Sequence, residues 1–330
     1  MRRQQERVAV CFVFVCVAFF LIILSSGRRR IESLHRKQLA KAVEAKFVNL
    51  VKKTQGISRL LESTCVGRTT CLDVRDEIVE CGGGRKVRRA TKKDSILLSH
   101  GFLKTPERLT ISAADTSKWE MDFSTIPDGA TKTIIEEMFA SGALRIASDS
   151  AARILILGIG GGFLVPYLRH LFPNMHFTVV ESNEQLYELT SKWYFLTADQ
   201  NVNVVHQDGA HYLKDSVEQE HAYDAIILDS CLVDIAEDTL CPSRTYLHQE
   251  PISHMAQLVG EPGVVVVHFV HESKFPLKLI NNITEQFNQS FAYSKVKQSN
   301  GRNNYVITFS QFKHMELYAD LANIPISVCE

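Results

Sequence analysis

The sequence predicts an α/β protein built on a doubly wound parallel sheet, with a small N-terminal β-hairpin before the sheet and a single transmembrane helix before that. Three observations point to the sheet. Short, almost uniformly apolar runs alternate with helical patterns from residue 153 onward, and strands that are apolar at nearly every position are those covered on both faces. The first run ends in Gly158-Ile159-Gly160-Gly161-Gly162. The next three end in, or just ahead of, an acid: Glu181, Asp208 and Asp229. Ligands of doubly wound sheets sit at the carboxyl ends of the strands, and that is where these residues fall.

Taken in order, Ser95–Ser99 and Arg108–Ala113 are expected to pair as the hairpin, and Ala130–Ala140 to form a helix. The sheet then runs through strands at Arg153–Leu157, His176–Val180, Val202–His206, Ala225–Leu228 and Val264–Val270. Between them the spacing predicts helices over Phe163–Leu171, Glu184–Phe195, Ala210–Val217 and Tyr246–Leu258. A closing pair near Phe291–Val296 and Asn304–Phe309 would supply an antiparallel edge.

Composition separates this body from what precedes it. The formal charge is zero, with 37 Lys and Arg against 37 Asp and Glu, and 45% of residues are hydrophobic. That excludes wholesale disorder, a collagen-like repeat and a polytopic membrane protein. The zero hides an asymmetry: residues 1–104 hold 22 basic and 9 acidic side chains, whereas residues 105–330 hold 15 and 28. Val8–Leu24 is a run of seventeen apolar residues flanked by Arg2, Arg3 and Arg7 and by Arg28, Arg29 and Arg30. That length sits at the lower limit for crossing a bilayer and above the usual core of a signal peptide. An uncleaved signal-anchor over residues 1–30 is the expectation, with cleavage near Ser25-Ser26-Gly27 as the rival. Residues 31–93 read as a basic helical stalk followed by a Cys- and Gly-containing linker, and 94–330 as the folded domain. The basic residues carry no interleaved aromatics or nucleic-acid module, so no nucleic-acid partner is expected.

Orientation stays open. Counting flanking charges places the body in the cytosol. Six cysteines outside the apolar run (65, 71, 81, 231, 241 and 329) and two glycosylation acceptor patterns, Asn282-Ile283-Thr284 and Asn288-Gln289-Ser290, favour a lumenal (endoplasmic reticulum or Golgi) or extracellular body. The lumenal side is taken by a small margin.

The strand ends suggest the ligand. Glycines let a backbone approach a bound molecule and open a helix whose free N–H groups face it. A dinucleotide fingerprint would need glycine at 163, where Phe163 stands, so a nucleoside with an amino-acid tail fits better than a pyrophosphate. Glu181 is placed to take ribose hydroxyls. Asp208, in Asp208-Gly209-Ala210, is placed to bond an adenine amino group, and Asp229 to face the reacting part of the ligand. Each acid has a plainer reading as a helix N-cap or loop acid; the ordered set of four strand ends favours the site.

At these residues the chain resembles the spermidine-synthase-like branch of the class I methyltransferase superfamily, and within it the C-terminal domain of methyltransferase-like protein 13. The segments that carry the likeness are Leu157–Gly162, Val179-Val180-Glu181, His206–Gly209, Tyr223–Asp229, Cys241-Pro242 and Ser99–Leu103. The resemblance covers about residues 95–310. It implies a Rossmann-like methyltransferase fold and a nucleoside donor, S-adenosylmethionine or decarboxylated S-adenosylmethionine. It would set Gly158, Gly160, Gly161 and Gly162 at the amino-acid tail, Glu181 at the ribose, and Asp208 and Gly209 at the adenine. Asp229 would stand at the site of transfer as its catalytic acid, and a homodimer is the assembly the family implies.

Departures decide between uses of the fold. Aminopropyltransferases resemble one another in an Asp-x-x-Asp-Pro after the fourth strand; here the sequence is Asp229-Ser230-Cys231-Leu232-Val233, with Asp234 displaced. Their upstream Tyr-x-Glu is replaced by residues 126–130, Ile-Pro-Asp-Gly-Ala. A polycationic amine needs several carboxylates to offset its desolvation, and most are gone. The leading expectation is a membrane-anchored S-adenosylmethionine-dependent methyltransferase whose acceptor, protein or small molecule, the sequence does not name. His100, His206 and His248 are candidate bases. The rivals are a nucleoside-binding pseudoenzyme that acts as a scaffold, and a divergent polyamine aminopropyltransferase using Asp234.

Overall fold

The structure is a computed structural model. It describes residues 38–317 apart from 67–69, 83, 95, 109, 161, 232–238, 272 and 301–302, together with residues 32, 34, 35, 321 and 324. The expected anchor, Val8–Leu24, lies outside the described residues; among those described, no helix is long and apolar enough to cross a membrane.

The main sheet has the strand order β11-β12-β10-β8-β5-β6-β7. Strands β5 (Arg153–Leu157), β6 (His176–Val180), β7 (Val202–Val205), β8 (Ala225–Leu228) and β10 (Val264–His271) are parallel. Antiparallel β12 (Asn304–Ser310) and β11 (Tyr293–Gln298) close one edge. The short strand β9 (Thr239–Cys241) adds to the end of β10. Strands β5, β6 and β8 keep the predicted bounds, because their residues are apolar toward both layers. One core joins Ile154, Ile156, Val179 and Ile227 to helices α2 (Ala130–Ala140), α3 (Leu164–Leu171) and α4 (Glu184–Tyr194). The other joins Leu155, Leu157, Ile226 and Leu228 to α5 (Gly209–Glu218), α6 (Gln249–Val259) and α7 (Pro276–Phe287). Helix α7 was not expected; its apolar content is confined to one stripe, with Ile280, Ile283 and Phe287 buried.

The region before the sheet departs from expectation. The hairpin of 95–99 with 108–113 does not form. Instead β1 (Ser58–Val66), β2 (Thr70–Cys81), β3 (Gly84–Lys93) and β4 (Ile96–Phe102) make a four-stranded antiparallel sheet in sequence order, and 112–114 is a turn of 3₁₀ helix. Residues expected as a linker are thus mostly strand, and β3–β4 pairing crosses the boundary drawn at residue 94. The basic run in β3 misled because its charges have partners across the ladder: Glu77 accepts from Arg88 at 2.9 Å and from Lys92 at 2.5 Å. Nor is the preceding helix, α1 (38–55), a solvated stalk. Phe47, Val48 and Val51 are buried in the core, with Phe47 edge-on to Trp119 at 5.8 Å between centroids. Cys65 pairs in a disulfide with its cross-strand neighbour Cys71, and Cys81 is also disulfide-bonded.

The small sheet docks on α4 and on the turn that follows β5. Arg89 of β3, 1% exposed, forms a two-pronged ion pair with Asp76 of β2 at 2.9 and 3.0 Å. It also donates to the carbonyls of Trp193 and Thr116. The Thr91 hydroxyl donates to that of Tyr194 at 2.9 Å. Ser99 of β4 accepts from the N–H of Phe163, at the turn that follows β5.

Candidate functional site

The chain leaves β5 for β6 and β7 on one side, then returns to β8 and β10 on the other. The crevice of a doubly wound sheet opens at such a reversal, here between the carboxyl ends of β5 and β8. Gly158 follows the one and Asp229 the other.

The glycine turn takes backbone conformations that side chains resist: φ is +85° at Gly158, +59° at Gly160 and +104° at Gly162. Gly160 is the most confined, since a Cβ there would stand 2.0 Å from Asp229 Oδ2. Gly161 lies outside the described residues. Across the turn, Glu181 closes β6 with its carboxylate buried. The Ile159 N–H donates to Oε2 at 3.1 Å and the Asn183 N–H to Oε1 at 2.8 Å. Burial raises its pKa, and those backbone N–H groups and His206 oppose the rise. An ionised carboxylate offers about four acceptor positions, so two remain for a diol.

Asp208 caps α5, its Oδ1 accepting from His211 N–H at 2.9 Å. The plainer N-cap reading of this residue is therefore realised, and capping one N–H leaves the second oxygen for a ligand. Gly209 begins the helix, and a Cβ there would meet Tyr246 Oη at 2.0 Å. From the sequence, Tyr246 is expected only as the start of a helix. It sits instead in a 3₁₀ turn (Arg244–Leu247) after the cis Cys241-Pro242 bond, is buried, and reaches over the start of α5. Burial raises its pKa, with Asp208 adding to the rise.

Asp229 is joined to a residue the sequence reading passed over. Parallel pairing sets Val267 of β10 beside Leu228 of β8. The next residues on the two strands are His268 and Asp229, on neighbours about 4.8 Å apart. His268 Nδ1 lies 2.7 Å from Asp229 Oδ1, and its Nε2 lies 3.0 Å from Asn304 Oδ1 on β12. Both His268 and Asp229 are buried. The available signal was one imidazole in the otherwise apolar run VVVVHFV, one position beyond the last paired residue. Cys231, 3.9 Å from the same Asp229 oxygen, is disulfide-bonded to Cys241. That bond ties the segment just after β8 to the last residue of β9.

The three histidines expected as bases are not brought to Asp229. His206 stacks edge-on with Tyr187, 5.0 Å between centroids, on the Glu181 side. His248 is exposed, just before α6. His100 of β4 lines a cavity of 320 Å³ between the two sheets, with Arg88, Ser99, Asp128, Asn300 and Asn304. Asn304 thus joins the cavity to the His268–Asp229 pair. Asp234 lies outside the described residues.

Burial pushes the His100 pKa down to about 4, and the Arg88 charge adds to the shift. The unfolded chain takes up that proton near pH 6.5, so between these values the unfolded state binds more protons. The contribution of His100 to stability is therefore full above about pH 6.5 and declines as pH falls toward about 4. Urea midpoints measured across that range should show the decline in the wild type and less of it in His100→Gln.

No family model matches the chain. An eEF1A lysine and N-terminal methyltransferase homologue of Drosophila pseudoobscura pseudoobscura is 23% identical over 226 residues, 65% of this chain and 32% of its own length. A polyamine aminopropyltransferase of Vibrio vulnificus is 27% identical over 122 residues, 37% of this chain and 39% of its own. The chain thus spans less than half the length of either relative. Among solved structures, spermidine synthase from Thermotoga maritima superposes with a TM-score of 0.52 at 13% identity, covering 82% of this chain and 80% of that one. That likeness shows the shared fold alone.

Proposed function

We propose, from the chain's kinship with the spermidine-synthase-like branch of S-adenosylmethionine-dependent methyltransferases, that it binds S-adenosylmethionine and transfers a methyl group. The glycine turn borders the amino-acid tail, Glu181 takes the ribose hydroxyls, and Asp208 with Gly209 meets the adenine. S-adenosylmethionine supplies a methyl group on a sulfonium, an already activated leaving group, so positioning can supply most of the catalysis. Asp229 lines the place of transfer. His268, backed by Asn304, acts as a positioning residue that holds its carboxylate. The acceptor, a protein or a small molecule, enters by the cavity that Asn304 and His100 line. The apolar run Val8–Leu24, by its length and flanking arginines, supports a membrane anchor for this body.

The observation that carries the reading is the Glu181 carboxylate. It is buried beside the glycine turn, oriented by two backbone N–H groups and left with acceptor positions to spare. Because β3 pairs with β4 across residue 94, the test needs the whole chain, solubilised in detergent. Calorimetric titration with S-adenosylmethionine should show binding by the wild type. Glu181→Ala should bind about 10- to 100-fold more weakly, as expected for losing a charged hydrogen-bond acceptor. No binding by the wild type, or equal binding by the variant, removes the assignment.

A second reading, aminopropyl transfer from decarboxylated S-adenosylmethionine, is favoured by the Vibrio vulnificus relative. Product from putrescine and that donor would reverse the ranking.

A further inference from the structure

The two acceptor patterns Asn282-Ile283-Thr284 and Asn288-Gln289-Ser290 have no part in the site described above. They are the only Asn-x-Ser/Thr triplets in the sequence, and they fall on the second half of α7 and the residues just after it. The helix is amphipathic, and Ile280, Ile283 and Phe287 form its buried stripe. Asn282 falls outside that stripe and is exposed; Asn288, the residue after the last turn, is exposed as well. Six residues at 1.5 Å rise separate them by roughly 9 Å along the axis, room for a substituent on each without disturbing the core.

A different observation concerns the cysteines. Cys65 is bonded to Cys71 and Cys231 to Cys241, and Cys81 is also in a disulfide. Five of the six cysteines outside the N-terminal apolar run are therefore oxidised. Structural disulfides form and persist in secretory and extracellular compartments and are rare in the cytosol. Acceptor triplets alone arise by chance, and cysteine pairs alone can be fortuitous neighbours. Exposed acceptor asparagines on a body whose cysteines are paired have one common physical setting, an oxidising lumen that contains glycosylation machinery.

We propose that Asn282 and Asn288 carry N-linked glycans and that the folded body lies on the lumenal or extracellular side of its membrane. In the transfer, each Asn Nδ2 loses one hydrogen and bonds the anomeric carbon of an oligosaccharide, displacing the lipid diphosphate that carried it. The modification precedes folding, so the helical conformation of the first triplet does not obstruct it. One consequence rests on the transferase reading. The methyl donor must be delivered across the membrane, and the acceptor is a molecule of the secretory pathway rather than one confined to the cytosol.

The test is expression of the full chain in eukaryotic cells, followed by denaturation and treatment with a peptide N-glycosidase. The wild type should shift in mobility by two glycan steps. N282Q and N288Q should each retain one step, and the double variant none. S290A, which keeps the asparagine, should match N288Q. An unchanged wild-type mobility overturns the proposal, as does a shift that survives the double substitution. A single step abolished by one variant overturns the other site. Thiol alkylation before and after reduction gives a second readout: labelling at Cys65, Cys71, Cys231 and Cys241 should need prior reduction, and full labelling without it overturns the compartment. Neither measurement involves S-adenosylmethionine, so failure here and failure of donor binding are separate results.

Discussion

Arg89→Met should destabilise the chain by about 3–5 kcal/mol, the usual cost of removing one partner of a buried ion pair. Arg89 is 1% exposed and satisfies Asp76 through both carboxylate oxygens. It also bonds the Trp193 and Thr116 carbonyls and lies 4.9 Å from the centre of the Trp193 ring. Methionine fills most of the volume but returns none of these bonds. The loss would leave Asp76 buried with only the weaker pull of Arg59, and its pKa is already raised by burial, which outweighs the opposing pull of Arg89. Urea unfolding at neutral pH measures the effect. The double variant Asp76→Leu/Arg89→Met should recover most of the loss, since apolar replacement of a whole buried pair is often neutral. A single-variant loss below about 1 kcal/mol, on the scale of an exposed pair, would show that the small sheet is held together and against α4 mainly by apolar contacts.

The second large effect concerns binding. Gly160→Ala should abolish measurable donor binding and lower stability by about 1–3 kcal/mol through backbone strain, with the contact against Asp229 adding to that loss. Its φ of +59° strains any side chain, and the new Cβ would stand 2.0 Å from Asp229 Oδ2. Asp229 has little freedom to step aside, because His268 holds its other oxygen at 2.7 Å. Gly56→Ala separates strain from obstruction. Gly56 has a comparable φ of +83°, but a Cβ there would meet nothing within 4 Å. That variant should lose only the part due to backbone strain, about 1–3 kcal/mol, and titrate with S-adenosylmethionine like the wild type. Equal binding by both variants would mean that the turn does not border the ligand.

The way these residues were or were not legible follows from the range of the forces involved. Strands β5 and β8 were located to the residue because burial on both faces leaves a local signature, a run apolar at almost every position; β6, HFTVV, keeps that signature with a break at Thr178. The glycines and acids at their ends were legible for a similar reason, as each follows such a run directly. Strand β3 was not. Its residues Arg88 and Arg89 read as part of a solvated linker because the acids that answer them, Glu77 and Asp76, lie on the neighbouring strand. The same holds for α1, whose few apolar residues looked sparse for a core helix until Phe47 met Trp119.

By itself the sequence determined the doubly wound sheet, the order of its main strands and the acids at their carboxyl ends. All of these depend on patterns within a few residues of one another. Only the tertiary structure decided that a four-stranded sheet precedes them, that Arg89 pins it, and that His268 rather than His100, His206 or His248 stands at Asp229. Those facts depend on pairs separated by 13 to 104 residues. Such pairs meet only through strand register and layer packing, which no local spacing encodes.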